Sequence, residues 1–347
     1  IVGSGAIDGR GGAVMTGGSN KGKWTWWDLD MASSIDGKNQ QSPRILQVSS
    51  SKNFTMYNVT ILNGPHFHVA TSEVVGFKVY GIKLITPSLG YSVAGYACAS
   101  GTSPSKTTVA TKPSTCFTPD TVKNTDGFDP ANSQYVVITQ SYISDGDDNV
   151  AVKAGAVTST SSVSTNHMYA NNHFYYGHGM SIGSETDAGA HDISVTNLVF
   201  DGQGTALSGL RIKSDNTRGG EVYNVTYDGV CMKNIKNPLF FTTQYTTDSG
   251  SKLPNFHDIT MRNVHYSGSG TLQFVGSSTH PLNRFTFDNV VFDTKLAITQ
   301  SDVTNTIYGP GAVVNVPLSG APTISGSGID CSNAYIPMST AFSGYYK

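Results

Sequence analysis

Charged residues are scarce in this chain of 347 residues. They make up 13%, and the net charge is −2. A basic field of the kind that draws nucleic acid is therefore excluded, and an anionic ligand would have to be met by local positive charge. No apolar run approaches the roughly 18 residues of a membrane span, so no membrane partner is expected. Helical periodicity is nearly absent, which excludes leucine-rich and ankyrin-type repeats. No secretory leader is visible in this sequence either. The chain opens directly on Ile1-Val2-Gly3-Ser4-Gly5-Ala6-Ile7-Asp8-Gly9, already a strand and turn in pattern, and we expect upstream residues to have been removed. Hydrophobic residues at 38% exclude a disordered chain.

There are only four cysteines. Cys98 and Cys116 flank a Ser/Thr/Pro-rich segment, and a disulfide closing that loop is expected; it would imply an oxidising compartment. Cys231 lies inside a strand pattern and reads as a small buried apolar residue. Sequons at Asn53, Asn58 and Asn224 permit glycosylation.

What the chain has in abundance is repetition. Eight octets share one pattern: alternating apolar residues, a polar or Gly break, then alternation again. They begin at Phe54, Phe77, Val136, His167, Ile193, Val225, Ile259 and Phe285. Period-2 alternation argues for strands with one buried face, and the central Asn or Gly allows a sharp bend. Most octets recur every 23 to 34 residues, the period of a solenoid whose coils bury their faces on one another. The predicted fold is all-β: one right-handed parallel β-helix domain over residues 1–347. The interval from Phe77 to Val136 is too long, and residues 88–123 read as an inserted loop. Residues 11–38 look similar and carry Trp24, Trp26 and Trp27, either a packing cluster or a sugar-stacking platform. Residues 294–347 are expected to cap the open end, since an uncapped coil exposes strand edges.

Four polar clusters interrupt the strands about one coil apart: Asn124-Thr125-Asp126-Gly127-Phe128-Asp129, Asp145-Gly146-Asp147-Asp148-Asn149, Gly177-His178-Gly179-Met180-Ser181-Ile182-Gly183-Ser184, and Arg211-Ile212-Lys213. Stacking would bring them to one point of the circuit. Asp126, Asp147 and Asp148 suit glycoside hydrolysis, which needs one carboxylic acid and one carboxylate. Crowding them raises the pKa of at least one. Two plainer readings stand beside this: bends that hydrogen-bond their own backbone, or a calcium site of hard oxygen ligands. His178 is flanked by glycines that allow close approach, though a lone histidine is ordinarily structural. Arg211 and Lys213 share a strand face and offer a fork and a point charge to a sugar carboxylate.

The ordered set NTDGFD, GDDN, GHGMSIGSE and GLRIKSD resembles the polygalacturonases of glycoside hydrolase family 28, especially the bacterial type. The resemblance runs from IDGRGG at Ile7, through SPRILQ at Ser42 and KNFTMYNVTILNGPHFHV at Lys52, to the region of Tyr245. It implies a parallel β-helix that hydrolyses α-1,4-linked galacturonan with inversion, endo mode favoured over exo. Asp147 would be the general acid. Asp126 and Asp148 would hold and activate water, and His178 would support the acid. Arg211, Lys213 and Tyr245 would bind galacturonate, with Asn124 and Lys153 as further binding residues. No metal or organic cofactor is implied, and the protein would be a secreted monomer acting on pectin. Many fungal members have a cysteine where Asn149 stands, so a disulfide there is excluded. The alternatives are a rhamnogalacturonan or xylogalacturonan hydrolase, a calcium-dependent pectate lyase, and a non-catalytic β-helix adhesin.

Overall fold

The computed structural model describes residues 1–38, 42–156, 163–217, 219–247 and 251–346. The eight octets stack in register. Thr55 pairs with Lys78 and Lys78 with Val137; Val136 pairs with His167, and the series continues through Ile193, Val225 and Ile259 to Phe285, all parallel. The third residue of each octet points inward: Met56, Val79, Ile138, Tyr169, Val195, Tyr227, Met261 and Phe287 form one buried file. The fifth residue takes the left-handed conformation at every level, with φ between 50° and 72° at Asn58, Gly81, Gln140, Asn171, Asn197, Gly229, Asn263 and Asn289. Only Gly and, at low cost, Asn or Asp visit that region readily. This is why the break residue is almost always Asn or Gly, and it turns the chain from the first wall of the coil into the second. Some of these asparagines also join coils: Asn197 Nδ2 donates to Asn171 Oδ1 at 3.1 Å and Asn289 Nδ2 to Asn263 Oδ1 at 2.7 Å.

The second wall stacks Ala6–Asp8, Thr60–Leu62, Lys83–Ile85, Tyr142–Asp145 and His173–Tyr176. The third stacks Leu46–Ser49, Val69–Ser72, Phe128–Ala131, Val150–Val152 and Met180–Ile182, then pairs Met180 with Leu210. Later coils continue in the long bent strands Ala190–Lys213 and Glu221–Thr242. The result is a right-handed parallel β-helix with a continuous apolar interior.

Residues 88–123 add no coil. They hold two short 3-10 turns, Ala94–Tyr96 and Pro119–Thr121, and the Cys98–Cys116 disulfide. Residues 11–38 differ from the loop expected: they contain a helix, α1, at Trp26–Ile35. Thr25 and Asp28 form a capping box at its start, satisfying backbone donors that would otherwise be orphaned. Its buried residues include Asp28 and Asp30, so no apolar helical stripe betrays it in the sequence. Trp27 is packing, with no exposed surface; its Nε1 donates to the Gly64 carbonyl at 2.8 Å and its ring meets Phe117 edge-on at 4.8 Å. The insertion therefore lies on α1, and Ser114 Oγ donates to Asp28 Oδ1 at 2.6 Å.

Two further findings concern the C-terminal region. Ala297–Ser301, Ile307–Tyr308 and Val313–Val314 extend the stack. The chain then returns along the outside of the second wall, where Tyr175 Oη donates to the Ile336 carbonyl at 2.7 Å and Phe342 packs against Tyr175 and Tyr142. Cys231 is not the free apolar residue expected: it forms a disulfide with Cys331. Its neighbours Val230 and Met232 point into the core, so alternation turns Cys231 outward to meet the returning tail.

Candidate active site

The four clusters converge because each enters the third wall at the same point of its coil. Asp126 lies two residues before Phe128, Asp148 two before Val150, and His178 two before Met180. Val150 pairs with both Phe128 and Met180. Arg211 follows one coil later, beside Ser181. Backbone packing is close. A Cβ on Gly146 would lie 2.4 Å from the carbonyls of Pro119 and Val122, and one on Gly179 would lie 2.1 Å from the Gly209 carbonyl. The end of the insertion thus presses directly on the turn that carries Asp147.

Asp147 Oδ1 sits 2.8 Å from His178 Nδ1, and its Oδ2 accepts from the Asn124 backbone N–H at 3.2 Å. Burial disfavours its charge, but His178 and then Lys213 and Arg211 outweigh this and hold the carboxyl below its usual range. Asp148 is saturated: Oδ1 accepts from Arg211 at 3.1 Å and Ser181 Oγ at 2.7 Å, and Oδ2 from Lys213 Nζ at 2.9 Å. Burial again opposes ionisation, yet Lys213 and Arg211 keep Asp148 below the ordinary carboxylate value. Asp126 is the opposite case. Burial, then the charges of Asp129 and Asp147, push it well above the usual range, and its Oδ1 has no hydrogen-bond partner among the described residues. The site thus pushes the proton affinities of its carboxyls apart, Asp126 upward and Asp147 and Asp148 downward.

His68 holds Asp126 from behind. Burial lowers its pKa to about 4, so the ring is neutral; Nδ1–H donates to the Asp126 carbonyl at 2.9 Å and Nε2 accepts from Thr86 Oγ1 at 2.7 Å. Arg211 also donates to Tyr245 Oη at 3.1 Å, and the Tyr245 ring lies 5.1 Å from Lys213 Nζ. Lys153 stands slightly apart, 3.5 Å from Glu185 and 3.9 Å from Asp129. Burial, less a contribution from Lys153, raises Asp129 to about 7. Asp126, Asp147, Asp148, His178, Arg211, Lys213, Tyr245 and Asn124 form one connected cluster with Lys153 at its margin. Cys98 and Cys116 serve the insertion. Ser181, Asp129, Glu185 and His68 were not anticipated. Ser181 and Glu185 lie inside the His178 motif, and strand pairing of Ser181 with Arg211 is the signal that finds the first.

Asp147, Asp148 and His178 offer ligand atoms within 4.8 Å of one another, which raises the calcium reading again. The donor set does not suit it. Both Asp148 oxygens already face cations, and two fixed positive charges repel a divalent ion.

The chain matches the family model described as Glycosyl hydrolases family 28 over residues 1–309. It is 45% identical to a polygalacturonase of Ralstonia nicotianae, covering 97% of this chain and 67% of that protein. It is 37% identical to an endo-polygalacturonase of Pectobacterium carotovorum subsp. carotovorum, covering 84% of this chain and 61% of that protein. Among solved structures, the polygalacturonase from Erwinia carotovora ssp. carotovora superposes with a TM-score of 0.72 at 33% identity, covering 87% of this chain and 69% of that one. The ordered clusters and the coil that assembles them thus have the same explanation: the chain is a member of glycosyl hydrolases family 28.

Proposed function

We propose that the protein hydrolyses α-1,4-galacturonosyl bonds of polygalacturonate, in endo mode and with inversion, with Asp147 as general acid. The observation that carries the role of Asp147 is access. Its side chain is 15% exposed, whereas that of Asp148 is 2% exposed and Asp126 is 3% exposed. Of the three, it is the carboxyl best able to touch a glycosidic oxygen. A galacturonate carboxylate arriving at Arg211 and Lys213 offsets the positive charge that holds Asp147 down, and the sugar shields it from water. Both effects favour its protonated form. Burial and its acidic neighbours favour a proton on Asp126 in the open site; moving that proton to Asp147 leaves Asp126 ionised. Asp147 then gives that proton to the leaving oxygen, water attacks the anomeric carbon from the other face, and the proton lost by water returns to Asp126 or Asp148. His178, Asn124 and Tyr245 hold these groups in line, and Lys153 binds a neighbouring sugar.

The two disulfides suit an oxidising compartment, which supports a secreted enzyme of plant cell-wall pectin. The test is reducing-end release from polygalacturonate, with viscosity followed in parallel. Endo cleavage predicts that viscosity collapses while few bonds are cut. Monomer release at constant viscosity points to exo action, and no release refutes the proposal. Fully methyl-esterified pectin offers Arg211 and Lys213 no charge and should be cut far more slowly; equal rates would move the reading to a decorated or neutral chain.

A further inference from the structure

Beneath the turn that carries Asp147 lies a carboxyl that the reaction above does not use. Ile143 points into the core, and strand alternation turns Asp145 inward with it. Asp145 and Asn149 have no exposed surface, and they bridge the base of the turn: Asn149 Nδ2 donates to Asp145 Oδ1 at 3.2 Å. Among the described residues Asp145 forms no salt bridge, and its Oδ2 has no hydrogen-bond partner. A buried carboxylate without a cation is costly. Burial, then the charges of Asp147 and Asp148, push Asp145 well above the usual carboxyl range, which favours the neutral acid.

What this pair holds is the next coil. Asp145 pairs with Tyr176 at the end of the second wall, so its side chain meets the turn that follows Tyr176. A Cβ on Gly177 would lie 2.6 Å from Asp145 Oδ1 and 2.7 Å from Asn149 Nδ2. Gly179 N–H donates to Asn149 Oδ1 at 3.1 Å. Between these glycines, His178 N–H donates to the Asp147 carbonyl at 2.6 Å, and its Nδ1 sits 2.8 Å from Asp147 Oδ1. The turn is therefore fixed at three consecutive residues: Gly177 against Asp145, His178 by Asp147, and Gly179 by Asn149. Gly177 and Gly179 both take the left-handed conformation, with φ of 70° and 83°, so the backbone can lie this close to the pair. On the other side, a Cβ on Gly127, the residue after Asp126, would lie 3.0 Å from Asp145 Oδ2. One carboxyl thus borders the turns of both neighbouring coils.

We propose that Asp145 is a positioning residue for the hydrolysis: with Asn149 it sets the Gly177–His178–Gly179 turn and thereby the contact between His178 and Asp147. This rests on the polygalacturonate reading above. Both side chains are fully covered, so neither touches substrate and the role is exerted through the turn. It bears on turnover rather than binding, because Arg211 and Lys213 come from a later coil and keep their contacts to Asp148.

The test is initial-rate kinetics on polygalacturonate with wild type, Asp145→Ala, Asp145→Asn, Asn149→Ala and the double variant Asp145→Ala/Asn149→Ala, each assayed well below its unfolding temperature. Asp145→Ala and Asn149→Ala should each lower kcat by about tenfold or more, since a small displacement of a reacting group is enough, with KM held within about twofold. The double variant should be no slower than the slower single variant, because the two residues act through one chain of contacts. Asp145→Asn offers Asn149 a neutral acceptor of the same shape and should recover most of the rate lost in Asp145→Ala. A residue that served the fold alone would lower the unfolding temperature and leave kcat of the folded protein unchanged. If Asp145→Ala does not fold, Asn149→Ala decides the question on kcat. Wild-type kcat in folded Asn149→Ala, losses that multiply in the double variant, or an Asp145→Asn protein as slow as Asp145→Ala overturns the proposal while leaving the enzyme reading standing. No cleavage by the wild type overturns both.

Discussion

Asp148→Asn is the substitution whose consequence follows most directly from the geometry. In the native site Asp148 is 2% exposed and lies between Arg211 and Lys213, whose side chains are 2% and 8% exposed. The amide keeps the shape but removes the charge. Two buried cations then face each other, with Asp147 and, for Lys213, Glu185 still within electrostatic reach. Breaking a buried ion pair by removing one partner costs about 3–5 kcal/mol, because the other charge stays buried and unpaired. With about 2.1 cal/mol/K of unfolding entropy per residue, a domain of this size should then lose roughly 4–7 °C in Tm. Lys213→Met alone leaves Arg211 and Asp148 as a balanced pair and should cost less. The double variant Asp148→Asn/Lys213→Met should be more stable than the sum of the two single losses predicts, by about 1–3 kcal/mol, since the second change removes a cation that the first had stranded. All three variants should be impaired on polygalacturonate. The assay is thermal or urea unfolding of the four proteins at one pH, with reducing-end release alongside. Strict additivity, or an Asp148→Asn protein as stable as the wild type, would refute the picture of Asp148 as the shared counter-ion of Arg211 and Lys213.

Asp129 gives a pH prediction. Its folded pKa is about 7 against about 3.9 in an unfolded chain, so the folded state holds the proton more tightly. Stability contributed by that proton is present below the unfolded value and is lost as pH rises toward 7, by roughly 4 kcal/mol at most. Asp129→Asn lacks this loss, so its Tm relative to the wild type should climb between pH 4 and pH 7; a difference that stays flat or falls contradicts the assignment. The Cys231–Cys331 bridge closes a separation of 100 residues, and Cys231→Ser/Cys331→Ser should lose about 2–5 kcal/mol by calorimetry. The bridge ties a side wall to the tail rather than shaping the cleft, so activity well below Tm should persist; loss of activity in the folded double variant would show that the tail supports the site.

The coil was legible because its geometry repeats. Each octet must alternate to feed one core and must bend at its fifth residue, and the left-handed conformation there selects Asn or Gly at seven of eight levels; Gln140 shows that the selection is a preference. The chemical residues were legible for the same reason, since they recur at coil spacing. What stayed hidden was structure made once. The helix at Trp26–Ile35 depends on a capping box and buries two aspartates, so it leaves no apolar stripe. Cys231 was misread although the alternation that places Val230 and Met232 inside also turns it outward, and its partner lies 100 residues away. The resemblance implies Lys153 as a binding residue, but its company of Asp129, Glu185 and Phe67 comes from three different coils.

The assignment of Asp147 as the acid is tested most directly by the initial rate of reducing-end release from polygalacturonate by Asp147→Asn, in a preparation that unfolds at the wild-type temperature. Asn124, His178 and the Asp148 backbone N–H all contact Asp147, and an amide of the same shape can keep contacts to such neighbours while having no proton to give. The account predicts a fall of about 10²–10⁴-fold or more. A folded Asp147→Asn protein within tenfold of the wild-type rate would contradict it and move the acid to Asp126, the carboxyl whose proton affinity burial and its acidic neighbours raise.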